Sequence, residues 1–161
     1  MKKVVIAVDS FKGCLSSSDI AKAVVEGIHH VIPGCEVIKV PIADGGEGTV
    51  EALTQATHGQ VITIPVHNPF MQPIQASYGI TGDGQTAVIE MSAASGLDLI
   101  PRKEGNVMHT TTYGTGELIA DAIDRGCRNF IIGVGGSATN DAGVGMMQAL
   151  GVRFTDDNGN E

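Results

Sequence analysis

The chain has 161 residues, which allows one ordinary domain or two small ones. Its 22 glycines suggest loops that approach a ligand or another backbone closely. With 10 lysine and arginine residues against 18 aspartate and glutamate residues, the net charge is −8 at pH 7, which disfavours binding to nucleic acids and to acidic membrane surfaces.

The first 66 residues are predicted to alternate strands and helices. Val4–Val8 is a continuous β-branched run, typical of a strand buried on both faces of a parallel sheet. Asp9 breaks this run too early for a secretory or transmembrane segment, so neither is predicted. The remaining elements here are a helix capped by a serine at 16–18 and stopped by Pro33, a strand at 36–41, a helix at 46–57 and a strand at 61–66. This βαβαβ order predicts a Rossmann-like or flavodoxin-like parallel sheet as part of a first α/β domain, residues 1–66.

The pattern changes from His67 onwards. Strands at 74–81 and 86–91, joined by a turn at 82–84, predict a hairpin that interrupts the parallel order. The later elements are a short alanine- and serine-rich segment at 92–97, a helix at 116–125, a strand at 130–134, a helix at 142–150 and the start of a strand at 152–154. We therefore predict part of a second α/β domain, with a mixed sheet, over residues 67–161. Because the turn signal at 155–161 has no strand after it, we expect a chain truncated at its C-terminus.

The three cysteines, Cys14, Cys35 and Cys127, have no CxxC spacing and no histidine at metal-ligand spacing. They predict reduced thiols and a cytoplasmic protein. His29 and His30 are adjacent on a predicted helix and point in different directions, so no metal site is predicted there.

The loop at 133–145 carries the strongest functional signal. It follows an apolar strand and precedes a helix, and its glycines allow the backbone to approach a ligand while the helix start offers free N–H groups to an anion. The pattern is neither a Walker loop nor a clean GxGxxG fingerprint, and a plain tight turn is the alternative. The candidate phosphate or nucleotide contacts are Gly135, Gly136, Ser137, Thr139 and Asn140.

Two further loops lie at the carboxyl ends of predicted strands, where open α/β sheets bind ligands. In the loop at 9–13, Lys12 is a candidate contact for a phosphate or carboxylate. In the loop at 43–49, Asp44 and Glu47 are candidates to hold Mg²⁺, act as a base or accept hydrogen bonds from substrate hydroxyls; the alternative is that they only cap the following helix. The hydroxyl-rich segment at 110–117 offers either capping groups or ligand contacts.

Five segments, in this order, resemble the bacterial glycerate kinase family of the first type. They are DSFKG at 9–13, ADGGEGT at 43–49, IEMSAASGL at 89–97, TTYGTGEL at 111–118 and GVGGSATNDAGVGMMQALG at 133–151. The resemblance implies ATP-dependent phosphorylation of D-glycerate, with the 2-hydroxyl favoured and Mg²⁺ required, in a cleft between two α/β domains. Members of the family are considerably longer, so the match is to their N-terminal portion. Ala142 stands where the family loop often has a further glycine.

Phosphoryl transfer needs groups that hold the phosphates and an acceptor hydroxyl held in line. The candidate catalytic residues are Lys12, Asp44 and Asp141, with either aspartate as base or magnesium ligand. The candidate substrate contacts are Asp9, Ser10, Lys12, Glu47 and Thr112.

Two other functions are possible for this sequence. One is a non-catalytic fragment, an anion-binding or assembly module without a complete active site. The other is dinucleotide binding, which is weaker because no clean fingerprint is present. An incomplete domain would also expose apolar strand edges and helix faces, so we expect self-association.

Overall fold

The computed structural model describes residues 2–11, 14–101 and 106–160. The strands are β1 (Lys3–Val8), β2 (Glu36–Pro41), β3 (Gln60–His67), β4 (Pro73–Ile80), β5 (Thr86–Glu90) and β6 (Asn129–Gly133). The α-helices are α1 (Ser17–Val31), α2 (Thr49–Ala56), α3 (Ser92–Ser95), α4 (Tyr113–Asp124) and α5 (Val144–Ala149). Within the described ranges, no helix combines the length and the apolar character that a membrane crossing requires.

The described strands form two sheets. β1 and β2 pair in parallel, from Lys3 opposite Glu36 to Val8 opposite Pro41. The second sheet has the order β3-β4-β5-β6, with antiparallel pairs up to β5 and a parallel pair between β5 and β6. The predicted class, α/β with a parallel region followed by a mixed sheet, is confirmed.

The prediction that residues 61–66 add a third parallel strand to the first sheet is wrong. β3 pairs antiparallel with β4 along its whole length, from Gln60 opposite Ile80 to His67 opposite Pro73. The reason is the tight connection at Asn68, whose Oδ1 accepts the backbone N–H groups of residues 70 and 72 and turns the chain straight back. β3 therefore belongs to the four-stranded sheet and not to the sheet of β1 and β2.

Two further sequence expectations differ from the structure. Residues 152–154, predicted as the start of a strand, form none, because no strand of the described chain pairs with them. β1 was expected to be buried on both faces, but Ile6 is 7% exposed whereas its neighbour Val5 is 58% exposed. Among the described residues, α1 covers one face of β1 and the other face is left exposed.

Glycines set where two of the helices begin. Gly48 precedes α2 with φ 93° and Gly143 precedes α5 with φ 78°, a left-handed conformation that favours glycine. Both helices therefore begin later than the sequence pattern predicts. The predicted serine cap of α1 is confirmed, since Ser16 Oγ accepts the N–H of Asp19 at 3.1 Å.

The core surrounds β5, whose residues 87–89 are fully buried. The adjacent β4 residues Tyr78 and Gly79 point to opposite faces of the sheet: the Tyr78 hydroxyl donates to Asp121 of α4 at 2.7 Å, and Gly79 lies against Val50 and Thr54 of α2. α4 and α2 therefore cover the two faces and hold β5 rigidly between them.

Candidate functional site

Two glycine-rich loops contact each other backbone to backbone at the carboxyl ends of β2 and β6. The Gly135 N–H donates to the Gly45 carbonyl at 3.1 Å. A Cβ on Gly133 would overlap the Gly45 carbonyl oxygen, and one on Gly135 would lie 2.8 Å from the Gly46 Cα. These positions require glycine because a side chain would push the two loops apart.

The segment at 91–97 holds the second of these loops from the other side. Met91 N–H donates to the Gly133 carbonyl at 3.0 Å, and Leu97 N–H donates to the Gly136 carbonyl at 2.9 Å. Ala138 N–H in turn donates to the Ser95 carbonyl at 2.9 Å. The loop after β6 is therefore fixed along its first half by main-chain hydrogen bonds.

Four of the five motif segments meet around one cavity of about 480 Å³. Its walls come from Phe11, residues 14–16, the loop at 46–47, residues 92–98 and the loop after β6. The residues concerned are Phe11, Cys14, Leu15, Ser16, Gly46, Glu47, Ser92, Leu97, Asp98 and Gly136. This volume lies in the range that small-molecule sites occupy, so the cavity is the candidate active site.

Asp44 and Glu47 are exposed acids in the loop before α2. Asp44 Oδ1 accepts the Gly46 N–H at 3.2 Å, a bond within the loop. The N-cap residue of α2 is Gly48, and no side chain of this loop accepts the first N–H groups of the helix. Neither acid is therefore its N-cap. Both carboxylates thus retain capacity for a ligand, and Glu47 faces the 480 Å³ cavity.

The carboxylate of Asp141 is fully engaged within the chain. Its oxygens accept the N–H of Thr112 at 2.8 Å, the Thr112 hydroxyl at 2.9 Å, and the N–H groups of Gly143 and Gly145 at 3.0 and 3.1 Å. The Thr111 hydroxyl lies 3.4 Å away. Although burial alone would raise the pKa of Asp141, the hydrogen bonds from Thr112, Gly145 and Gly143 hold it below its ordinary value.

These bonds satisfy backbone N–H groups at the start of α5. Besides the two glycine N–H groups bound to Asp141, the Met146 N–H donates to the Thr112 hydroxyl at 2.9 Å. The N–H groups that the sequence pattern offers to an external anion are therefore satisfied by the chain's own carboxylate and hydroxyl. Thr112 is buried, and its hydroxyl is occupied by these contacts within the chain rather than by a substrate.

The predicted phosphate contacts divide between two cavities. Gly136 lines the 480 Å³ cavity, whereas Ser137, Thr139 and Asn140 line a second one of about 550 Å³ together with Asp141. Ser137 Oγ accepts the Thr139 N–H at 3.2 Å and fixes the turn between them. Gly135 lies at the contact with the other glycine loop.

Ala142 has φ 54°, a conformation that favours glycine. A glycine would adopt this conformation without strain, whereas Ala142 adopts it at the cost of local strain.

The loop after β1 is described in part. Asp9 is exposed and its Oδ1 accepts the Ser10 N–H at 2.7 Å. Ser10 lines a third cavity, of about 290 Å³, to which Glu47 and Glu90 also contribute. Lys12, the predicted cationic contact, lies outside the described residues.

Glu90 is the residue that the sequence analysis missed. It ends β5, and its Oε1 accepts the Val50 N–H of α2 at 2.8 Å. The signal was an acidic residue directly after a fully apolar strand segment, at the same sheet edge as the other loops.

A sequence model of the glycerate kinase family matches residues 4–161. The chain belongs to the glycerate kinase family. It is 54% identical over 159 residues to the glycerate kinase of Bacillus subtilis (strain 168) and 52% identical over 159 residues to the glycerate 2-kinase of Escherichia coli (strain K12). Each alignment covers 99% of this chain and 42% of the relative.

The fold of this glycerate kinase family chain is also similar to a solved structure. A crystal structure from Salmonella typhimurium LT2, assigned as glycerate kinase 2, superposes with a TM-score of 0.85 at 48% identity and covers 99% of this chain and 43% of that one. The predicted family is confirmed. The chain spans about 42% of the length of the curated relatives it matches.

Acidic side chains of this glycerate kinase family chain can provide some of the ligands of Mg²⁺, but they do not surround a metal ion completely. Among the side chains of the described ranges, no group of three or more histidine, cysteine, aspartate or glutamate residues converges as a metal site. Magnesium commonly takes one or two carboxylates and fills its other positions with water and substrate phosphate oxygens. Asp44 and Glu47, both exposed and three residues apart, fit that pattern, whereas Asp141 has no acceptor capacity left.

Proposed function

We propose that the whole protein is a glycerate kinase that transfers the γ-phosphoryl group of ATP to D-glycerate, at the 2-hydroxyl, with Mg²⁺. The observation that carries this proposal is the convergence of four motif segments on one 480 Å³ cavity in a chain of this family. The names of the Bacillus and Escherichia relatives, glycerate kinase and glycerate 2-kinase, support the substrate. Because the chain spans 42% of those relatives, the activity is proposed for the whole protein.

In the proposed reaction the glycerate hydroxyl oxygen forms a bond to the γ-phosphorus, the bond from that phosphorus to the β,γ-bridging oxygen breaks, and ADP leaves. We assign the hydroxyl proton to the carboxylate of Asp44 or Glu47, two exposed acids of the loop at 43–49. The other of the two carboxylates would hold Mg²⁺, which when bound offsets the charge of the phosphate oxygens. We propose that Asp141 fixes the loop at 135–143 and acts neither as the base nor as a metal ligand.

The remaining contacts follow from the walls of the cavities. The backbone of Gly136 offers an N–H group close to the proposed reaction centre, while Gly135 shapes the loop through its bond to the Gly45 carbonyl. The side chains of Ser137, Thr139 and Asn140 offer donors on the other side of the loop. Asp9 and Ser10 lie at the end of β1 and are proposed to contact glycerate. The proposed contact of Lys12 with the substrate carboxylate or the transferred phosphoryl group rests on its place in the DSFKG segment.

The proposal is tested by incubating the whole protein with D-glycerate, ATP and Mg²⁺ and following ADP release. The ³¹P spectrum of the product identifies the reacting hydroxyl, because a 2-phosphate couples to one proton and a 3-phosphate to two. We expect glycerate-dependent ADP release and a doublet. ADP release that is the same with and without glycerate would refute the function, and a triplet would refute the position.

We also propose that the 161-residue chain, produced alone, associates with itself. β6 leaves apolar side chains uncovered, with Ile131 and Ile132 44% and 40% exposed, and Val134 follows at 71%. Val5 on β1 adds a second uncovered strand. Contiguous exposed apolar residues beside unpaired strand edges favour association.

The expected result is a particle heavier than one chain by light scattering after gel filtration at tens of micromolar. Replacing Ile131 and Val134 by lysine should shift this particle toward the monomer, since both side chains lie on the exposed strand and its continuation. A monodisperse monomer of the unmodified chain would contradict the proposal.

The proposed partners are small molecules, D-glycerate and ATP, and we propose neither a nucleic-acid nor a membrane partner, in keeping with the net charge of −8. We place the protein in the cytoplasm, which the odd number of cysteines, all three free, supports.

A further inference from the structure

Glu90 lies between the sheet and the loop that carries the two free acids. Its main chain ends β5, directly after residues 87–89, which are fully buried, and it pairs in register with Gly133 of β6. Gly133 in turn packs against Gly45. The backbone position of Glu90 is therefore among the best fixed at this edge of the sheet.

The side chain of Glu90 provides a hydrogen-bond acceptor at the start of α2, where the N-cap residue has none. This helix begins after Gly48, which has no side chain with which to cap the first N–H groups. Glu90 Oε1 accepts the Val50 N–H at 2.8 Å from a position 40 residues along the chain. A negative charge at a helix N-terminus is also favoured by the helix dipole.

The surroundings of Glu90 partly disfavour its charged form. Burial raises the pKa of Glu90, while the backbone N–H groups of Val50, Thr49 and Gly48 oppose that effect and the nearby charge of Glu47 adds to it. Placing a partly buried carboxylate beside another acid costs free energy, and hydrogen bonds to the carboxylate offset that cost.

We propose that Glu90 is a positioning residue that fixes the Ala43–Thr49 loop, and with it Asp44 and Glu47, relative to the loop after β6. This inference rests on the proposed function. Glu90 anchors one end of the Ala43–Thr49 loop through Val50, and the Gly135 N–H anchors its middle through the Gly45 carbonyl. Loss of the first anchor leaves the loop held at one point, so the acids lose their fixed distance from the cavity.

Three variants of the whole protein separate positioning from chemistry. Glu90→Gln keeps an oxygen that accepts the Val50 N–H but has no charge, and Glu90→Ala removes the acceptor. Glu51→Gln is the matched control, because Glu51 is an exposed acid one position further along α2 whose side chain makes no hydrogen bond in the described structure. It removes one negative charge from the same part of the molecule without touching the cap.

For Glu90→Ala we expect the KM for D-glycerate and the Mg²⁺ concentration for half-maximal rate each to rise about tenfold, with kcat changed less than about threefold. Glu90→Gln should restore both quantities to within about threefold of the unmodified protein, because the hydrogen bond is retained. Glu51→Gln should match the unmodified protein. If Glu90→Gln lowered kcat more than about tenfold while leaving KM unchanged, Glu90 would act in the chemical step and the proposal would be overturned. Unchanged KM values in Glu90→Ala would overturn it as well.

Amide hydrogen exchange of the 161-residue chain tests the same contact without any activity. Glu90→Ala should speed exchange in peptides covering residues 45–52, while Glu51→Gln should not. Unchanged exchange would overturn the proposal even if the protein proved not to phosphorylate glycerate, so failure of the proposed function and failure of this inference are distinguishable. If Glu90→Ala does not fold, Glu90→Asp, whose shorter side chain cannot reach Val50 without moving the loop, is expected to give the same KM and exchange changes.

Discussion

Replacement of Asp44 by asparagine in the whole protein is expected to lower kcat for D-glycerate phosphorylation by about two to three orders of magnitude. Asp44 is exposed and makes one hydrogen bond, with the Gly46 N–H at 3.2 Å, so its second oxygen is free for a metal ion or a proton. Asparagine retains the acceptor for Gly46 but loses the charge. The loop should therefore keep its shape while the chemistry fails.

Steady-state kinetics over a range of Mg²⁺ concentrations check this prediction. If Asp44 holds the metal, the half-saturating Mg²⁺ concentration should rise together with the loss of kcat. The matched control is Asp124→Asn, which removes an equal charge from the exposed last residue of α4. A loss of less than threefold for Asp44→Asn would remove Asp44 from the catalytic set.

Replacement of Asp141 by alanine is expected to act first on stability. The change leaves the N–H groups of Thr112, Gly143 and Gly145 without their acceptor, and Thr112 is buried. We expect the free energy of unfolding to fall by about 3 kcal/mol, because charge-assisted hydrogen bonds and unsatisfied donors each carry about 1–3 kcal/mol. Chemical denaturation of the 161-residue chain measures it.

The control for Asp141→Ala is Asp156→Ala. Asp156 also accepts two backbone N–H groups, those of Asn158 and Asn160, but it lies in an exposed turn. Its removal should therefore destabilise the chain much less. If Asp141→Ala instead left stability unchanged and abolished kcat in the whole protein, Asp141 would be a base or metal ligand after all.

The pH dependence of stability gives Asp141 a second signature. Since its pKa is lowered in the folded state, the folded chain binds the proton more weakly than the unfolded chain does. The stabilisation is thus complete above the unfolded pKa, near 3.8, and is lost as the pH falls through the folded value. The difference in unfolding free energy between the unmodified chain and Asp141→Ala should shrink on acidification; a constant difference would contradict this account.

Local sequence patterns predicted the parts of the fold that depend on neighbours in the chain. The serine cap of α1 and the hairpin turn between β4 and β5 were predicted because their donors and acceptors lie within a few residues of each other. In that turn, Asp83 Oδ1 accepts the N–H groups of Gln85 and Thr86 at 2.8 and 3.0 Å. Such contacts are encoded in short segments.

The partner of β3 and the state of the helix N-termini were not predictable in this way. An apolar strand at 60–67 suits a parallel or an antiparallel partner, and the choice depended on a turn whose key acceptor is the Asn68 side chain. The Val50 N–H of α2 is bound by Glu90 and the Met146 N–H of α5 by the Thr112 hydroxyl, acceptors that lie 40 and 34 positions away along the chain. No local pattern reveals such long-range contacts, so the sequence could not show that the chain itself occupies these N–H groups.

The location of the proposed active site is tested most directly by the reactivity of Cys14. This exposed thiol lines the 480 Å³ cavity, whereas Cys35 and Cys127 are buried and serve as internal references. Alkylation of the whole protein is followed peptide by peptide by mass spectrometry, with and without D-glycerate and ATP with Mg²⁺. We predict that D-glycerate at a concentration that saturates turnover slows alkylation of Cys14 severalfold and leaves Cys35 and Cys127 unaffected. An unchanged Cys14 rate in an active protein would show that glycerate binds elsewhere and would contradict the site described here.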